Sequence, residues 1–258
     1  MADKDNMNEN DTDDSLREFD NWDDLEINEK LLRGIYAYGY EKPSLIQQKT
    51  CIPIISGRDM IAQSQSGTGK TGSFVIGTLS KVDDSLNEVQ AIILSPTREL
   101  SMQIHSVITG LTTTWNELKS CCVVGGVPIR NDIQNLRKNI PHIIVATTGR
   151  LLDLIKRNVI NTEHVKILVL DEADELLQNN FQNQMRDIIS KLSSEIQILL
   201  FTATIPTEMM DISKKFMRNP YTITIQSEKL SLDGIKQYYC ALSNDVQKVE
   251  ALKDIYSQ

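Results

Sequence analysis

Between residues 59 and 225 the chain repeats one pattern: a short apolar run, a turn, and a stretch with helical spacing. Runs such as Val89–Ser95 (VQAIILS) and Val165–Leu170 (VKILVL) do not alternate apolar with polar residues, as a strand with one wet face would. Strands that are apolar on both faces belong to a parallel sheet covered by helices on either side. The pattern predicts strands over Asp59–Gln63, Val89–Ser95, Ser120–Val124, His142–Ala146, Val165–Leu170, Ile196–Phe201 and Tyr221–Ile225, the last rich in β-branched residues. It predicts helices over Thr71–Val82, Arg98–Trp115, Ile129–Asn139, Leu151–Asn158, Phe181–Leu192 and Thr207–Met217. Right-handed crossovers then give a doubly wound, mostly parallel α/β domain. Such sheets bind ligands beyond the carboxyl ends of their strands, so functional residues are expected immediately after strands.

The segment after the first strand is Ser64-Gln65-Ser66-Gly67-Thr68-Gly69-Lys70-Thr71. A glycine-rich loop between a strand and a helix lets backbone N–H groups approach phosphate oxygens, and the helix N-terminus adds its positive dipole end. Lys70 is placed to reach the β/γ-phosphates and the Thr71 hydroxyl to bind Mg²⁺. The usual phosphate loop opens with Gly where this chain has Ser64. Directly after VKILVL stands Asp171-Glu172-Ala173-Asp174. Alone, an acidic tetrad is an ordinary first helical turn. Beside a phosphate loop, Asp171 becomes the candidate Mg²⁺ holder and Glu172 the candidate for orienting or deprotonating a water. Together the two motifs indicate a nucleoside triphosphatase.

The hydrophobic share of 40% is that of a globular chain, and no run reaches the ~18 apolar residues that a membrane span needs. The formal charge of −8 is concentrated at one end. Residues 1–24 hold ten acids and two bases, and the remaining residues hold 25 of each. Residues 1–18 are therefore expected to be a solvated, disordered acidic tail. A neutral body neither demands nor forbids nucleic acid, which needs only a local basic groove. The four cysteines (51, 121, 122, 240) lack zinc-site spacing, and the three histidines form no cluster.

The motifs occur in a familiar order. Gly39-Tyr40-Glu41-Lys42-Pro43 with Ile46-Gln47, SGTGKT, Pro96–Leu100 (PTREL), Gly125-Gly126, DEAD at 171–174 and Thr202-Ala203-Thr204 together resemble the DEAD-box RNA helicase family, over nearly the whole chain after the tail. Within it the chain is similar to the initiation factor 4A group. LLRGIYAYGYEKPS, IAQSQSGTGKT, KILVLDEADELL and GIKQYY point to the branch of exon-junction and ribosomal-RNA-processing helicases. The resemblance implies a RecA-like ATP-binding domain, with ATP and Mg²⁺ as cofactors. It implies that Gln47 reads the adenine edge, with Lys42 nearby, Tyr40 stacking on the base and Trp22 supporting the pocket. For both aromatics, plain packing is the competing reading. It implies RNA contact by Pro96, Thr97, Arg98, Gly125, Gly126, Thr147, Gly149 and Arg150. Phosphates and 2′-hydroxyls would be gripped without base reading, which makes binding to single-stranded or short duplex RNA sequence-tolerant. Asp174, Thr202 and Thr204 would couple the two sites.

Two positions depart from the family pattern. Its Thr-Pro-Gly-Arg is here Thr147-Thr148-Gly149-Arg150, which is expected to loosen that turn. Its Ser-Ala-Thr is here Thr202-Ala203-Thr204, which keeps a hydroxyl. The domain is expected over 19–228, followed by a linker and the start of a second RecA-like lobe over 229–258. A strand over Ile235–Ala241 and a helix over Val246–Tyr256 are all of that lobe that appears. In the family the second lobe supplies an arginine finger, worth about 10³–10⁵ in turnover in related phosphoryl-transfer systems. The chain on its own is thus expected to hydrolyse ATP very slowly, and a nucleotide- or RNA-binding module without turnover is the alternative. The expected partners are RNA, the second lobe and regulatory proteins, for a lobe that is itself monomeric. Nuclear or nucleolar RNA processing is the first expectation for its setting, with cytoplasmic translation initiation as the alternative.

Overall fold

The computed structural model describes residues 17–177, 179–225 and 238–257. Seven strands form one sheet: β1 (Met60–Gln63), β2 (Ala91–Leu94), β3 (Ser120–Val123), β4 (Ile143–Ala146), β5 (Ile167–Asp171), β6 (Gln197–Thr202) and β7 (Tyr221–Thr224). Their order is β3-β4-β2-β5-β6-β1-β7, and every described pairing is parallel.

Alternate strand residues feed two separate cores. Met60, Ile93, Val145, Val169 and Phe201 face α1 (Glu29–Ala37), α2 (Leu45–Ile55), α3 (Lys70–Leu79) and α4 (Arg98–Leu111). Ile61, Leu94, Ile144, Leu170 and Leu200 face α5 (Ile129–Lys138), α6 (Thr148–Lys156), α7 (Ala173–Leu176), α8 (Asn179–Ile189) and α9 (Thr207–Ser213). This is the doubly wound arrangement that non-alternating strands require. The helices α1 and α2, which precede the first strand, had no counterpart in the sequence pattern. Asn28 caps α1, its side chain accepting from Lys30 N–H at 2.8 Å, and Ser44 begins α2 with a capping box closed by Gln47.

Helix ends moved for local reasons. The fourth helix stops at Leu111 because the chain turns back to bury Trp115, whose Nε1–H donates to Asp84 at 2.7 Å. Beyond Ser213, Lys215 and Phe216 bond three residues back, which tightens the end of α9 into a turn. Helix α6 begins at Thr148, three residues earlier than expected. The helix start tolerates the missing proline: Thr148 is the first helical residue and is buried, and Leu151 N–H bonds the Thr147 carbonyl at 3.0 Å. The expected loosening of this turn does not appear.

The chain divides into two units, one ending at Gln226 and the other beginning at Ser227. In the second, α10 (Asp245–Tyr256) forms as expected, capped by Asn244. Of the strand expected over 235–241, residues 235–237 lie outside the described ones, and 238–241 carry no strand. A lone strand has no ladder partner to satisfy its backbone groups. Most of the expected acidic tail, residues 1–16, also lies outside the described residues. Its last expected member, Glu18, pairs with Lys49 at 2.6 Å, and Phe19 beyond it is buried.

A buried carboxylate fastens the bottom of the sheet. Asp59 accepts from Ile198 N–H at 2.9 Å and from Arg218 N–H at 2.7 Å, tying the start of β1 to β6 and to the approach of β7. Asp59→Ala orphans both donors. Urea unfolding should show a loss of about 3 kcal/mol, at roughly 1–3 kcal/mol per buried unsatisfied group.

Candidate functional site

The glycine-rich loop spans the gap between β1 and α3. Gly69 caps α3 with φ +104°, which only glycine adopts without strain, and a Cβ there would lie 2.6 Å from Ser44 Oγ. Position 64 is not among the residues with positive φ, so Ser replaces the usual glycine without backbone strain. Its hydroxyl bonds Thr68 Oγ1 at 2.8 Å, closing the loop across itself. Lys70 is buried, and its ammonium donates to the Ser64 carbonyl at 2.7 Å. The cation is thus held inside the loop that would wrap a phosphate chain. Gln65, Ser66, Gly67 and Thr68 form the exposed to half-exposed rim, and Thr71 lies half-buried on the first turn of α3.

Asp171 ends β5 and is 5% exposed. Its pKa is pushed up to about 7, first by burial and then by the Glu172 charge, against the opposing pull of Lys70. Glu172 follows in the left-handed region at φ +50°, a strained conformation for a non-glycine residue, as the chain leaves the strand for α7. Asp174 accepts from Thr204 Oγ1 at 2.6 Å. Thr202 is fully buried; its Oγ1 donates to the Thr204 carbonyl at 2.7 Å and accepts from Thr204 N–H at 3.3 Å. The Thr202 carbonyl in turn accepts from Ser64 N–H at 3.1 Å. Asp174, Thr204, Thr202 and the phosphate loop therefore form one hydrogen-bonded chain. Gln63, which the sequence did not single out, joins it by donating to the Ala203 carbonyl at 3.1 Å.

Gln47 is buried against this loop. Its Oε1 accepts from Ser44 N–H at 2.7 Å and its Nε2 donates to the Gly69 carbonyl at 3.3 Å. Each atom of the amide keeps a second bonding position, which is what reading an adenine edge takes. Gly72 brings α3 close to this pocket, since a Cβ there would meet Gln47 Nε2 at 2.5 Å and Tyr40 at 3.1 Å. Neither Ser44 nor Gly72 was predicted, because a close approach leaves no trace in spacing. Tyr40 is half-buried, stacked on Trp22 at 6.3 Å between centroids and edge-on to Tyr38 at 5.1 Å. Trp22 is completely buried and stands behind Tyr40, where it can support the pocket without lining it. Lys42 is exposed nearby in sequence.

A groove of about 510 Å³ lies where β2, β3 and β4 end, lined by Pro96, Thr97, Arg98, Gly125, Thr147, Gly149 and Arg150. These are the residues expected at the RNA site. Gly126 acts one step back. With φ +93° and Arg98 against it, any Cβ would collide with the guanidinium, so the glycine makes the space in which Arg98 lies. Arg150 stands at the groove's edge. Its guanidinium is held by buried Asp132 and by the Val127 carbonyl at 2.7 Å, so it braces the wall and its charge is already matched. The groove also takes Phe181 and Gln184 from α8, which sequence reading missed because no motif marks them.

The pKa of Asp171 makes a signed stability prediction. A carboxyl raised from 3.8 to about 7 on folding stabilises the folded chain at low pH, and that contribution is lost as pH rises through 7. Without nucleotide, Asp171→Asn should therefore stabilise the fold more at pH 8 than at pH 5, by about 2–3 kcal/mol. Denaturant titrations of both proteins at the two pH values check this.

Comparison with known proteins places these features in context. Residues 44–212 match the family described as DEAD/DEAH box helicase. The chain is 44% identical over 238 residues to eukaryotic initiation factor 4A of Drosophila melanogaster, covering 92% of this chain and 59% of that protein. Among solved structures it resembles a DEAD box protein from Methanococcus jannaschii, with TM-score 0.77 and 34% identity over 93% of this chain and 64% of that one. It also resembles S. cerevisiae Dbp5 bound to RNA and ADP BeF3, with TM-score 0.82 and 35% identity over 92% of this chain and 60% of the other. The chain thus spans about three-fifths of the length of these relatives. With the phosphate loop, the DEAD turn and the Thr-Ala-Thr loop joined as described, the chain belongs to the DEAD/DEAH box helicase family.

Proposed function

We propose that this chain is the ATP-binding RecA-like lobe of an ATP-dependent RNA helicase of the initiation factor 4A type. The observation that carries the reading is the hydrogen-bonded chain from Asp174 through Thr204 and Thr202 to the phosphate loop. It ties the turn that would sense the nucleotide to the loop that would hold it.

In this reading Gln47 and Tyr40 select adenine, and the loop from Ser64 to Thr71 wraps the phosphates. Lys70 leaves the neutral Ser64 carbonyl for the anionic β/γ-phosphate oxygens, so that both partners of its hydrogen bond are charged. The Asp171 carboxylate and the Thr71 hydroxyl are hard oxygen donors suited to Mg²⁺. Mg²⁺ usually keeps waters and substrate phosphate oxygens in its shell, so one or two protein donors suffice. When bound, Mg²⁺ offsets the phosphate charge and favours the ionised form of Asp171. Glu172 orients the attacking water and accepts its proton. Arg98, with the Thr97 and Thr147 hydroxyls and the Gly125 and Gly149 backbone, grips an RNA backbone without reading bases.

Turnover needs a second RecA-like lobe that brings an arginine to the transferred phosphoryl group and completes the RNA cleft. The process we favour is nuclear RNA processing, in pre-ribosomal RNA maturation and small-subunit assembly or linked to splicing. Support comes from the LLRGIYAYGYEKPS and GIKQYY segments. The 44% identity to an initiation factor supports the second reading, cytoplasmic translation initiation. Imaging the tagged protein distinguishes the two: nuclear or nucleolar signal supports the first, and a purely cytoplasmic signal the second.

Binding measurements test the biochemical core. Lys70→Ala should weaken ATP binding about tenfold or more, the value of one charge-assisted hydrogen bond. Arg98→Ala and Gly126→Ala should both weaken single-stranded RNA binding, by similar factors across unrelated sequences, and Arg98→Ala should lower the salt dependence by about one counterion. Fluorescence anisotropy over a salt series reads both. A loss confined to one RNA sequence would contradict backbone recognition.

A further inference from the structure

A second concavity lies away from both sites, between α8 and the end of α9. Leu177 and Met185 form its buried floor, Ile189, Ile212 and Phe216 its half-buried walls, and Arg186 and Lys215 stand exposed on its rim. Its volume is about 250 Å³. That is below the ~300–1,000 Å³ of ordinary small-molecule sites, and it suits one or two apolar side chains of a peptide.

The rim charges decide what kind of peptide. Neighbouring cations of the same helical layer are matched within the chain: Lys214 by Asp211 at 3.4 Å, and Lys156 by Asp187 at 2.9 Å. Those pairs occupy Asp187 of α8 and Asp211 of α9, the chain neighbours of Arg186 and Ile212. Arg186 and Lys215 have no ion partner among the described residues. An apolar hollow flanked by two uncompensated cations complements an apolar anchor flanked by carboxylates. A nucleic-acid backbone would match the cations and leave the apolar floor and walls, Leu177, Met185 and Phe216 among them, without a partner. The first turns of α8 separate the two surfaces: Phe181 and Gln184 line the RNA groove, whereas Met185, Arg186 and Ile189 line this cleft.

We propose that the α8–α9 cleft is a docking site for a segment of a partner protein in which a large apolar residue is flanked by Asp or Glu. The inference does not depend on the nucleotide or RNA assignments.

The test is selection of a random dodecapeptide phage library on the whole chain, followed by anisotropy with the enriched peptides. The expected result is enrichment of Phe, Leu, Ile or Trp beside acidic residues. Binding should fall about tenfold in the double variant Arg186→Glu/Lys215→Glu, as expected when two close charge pairs become repulsive. It should also fall in Gln182→Trp, which fills the cleft from its rim, and persist in Arg98→Ala. Circular dichroism melts establish that the surface variants are folded. Three results would overturn the proposal. One is enrichment without acidic residues, or binding indifferent to the cleft variants. Another is cleft-dependent binding only of a synthetic peptide of residues 1–16, which would give the cleft to the chain's own acidic end. The last is no peptide enrichment with weakened RNA binding in the charge-reversed variant, which would make the cleft part of the nucleic-acid surface.

Discussion

The parallel pairing of β6 with β5 on one side and β1 on the other is the constraint from which the rest follows. Its register sets Asp171 opposite Phe201 and Gln63 opposite Thr202. Three strand ends are thereby brought level, and each continues into a loop with different chemistry: a glycine-rich phosphate loop, an acidic turn and a threonine loop. One hydrogen bond beyond the sheet, from Ser64 N–H to the Thr202 carbonyl, extends the ladder into the loops. A slip of one residue in any of these strands would exchange the two cores and separate the loops together. Asp59 guards that register from the opposite end of the same strands.

The cost of this arrangement falls on Asp171. Ending a central strand in a carboxylate puts a charge where water scarcely reaches, beside Glu172 and only partly offset by Lys70. The strained backbone of Glu172 and the inward-turned Lys70 belong to the same corner. In the proposed reading, energy given up in folding this corner is recovered when cations and phosphates bind, a common trade of stability for function. The Gln47 amide is a milder case. It is already held by Ser44 and Gly69, so it is oriented before any base arrives.

What could be read in the sequence was whatever repeats or has a fixed chemical signature. Non-alternating strands gave the sheet and its helical covering, and SQSGTGKT and DEAD marked the two strand ends. The early helices α1 and α2 were missed. Mean apolar spacing is uninformative in α2, which is buried nearly all round, including Cys51, Pro53 and Ile54. Pairings that depend on long-range approach were also hidden. Nothing local says that Arg150 will be neutralised by Asp132, that Gly72 must leave room for Gln47 and Tyr40, or that Phe181 and Gln184 will border the groove. For Trp22 too, only the packing shows that the ring is fully buried behind Tyr40. The resemblance to a family named the neighbourhood of these residues, and the packing determined which of them face outward.

In the proposed reading this lobe holds the nucleotide pocket and a second lobe completes what turnover requires. The most direct test is steady-state ATP hydrolysis by the chain, with and without single-stranded RNA, in parallel with equilibrium ATP binding. The expected result is measurable binding with turnover at least about 10³-fold below that of two-lobed relatives, unchanged by RNA, since in the proposed reading the arginine comes from a second RecA-like lobe. RNA-stimulated turnover near the rate of those relatives would contradict it, and would mean that the catalytic arginine lies within this chain or is lent by a second copy.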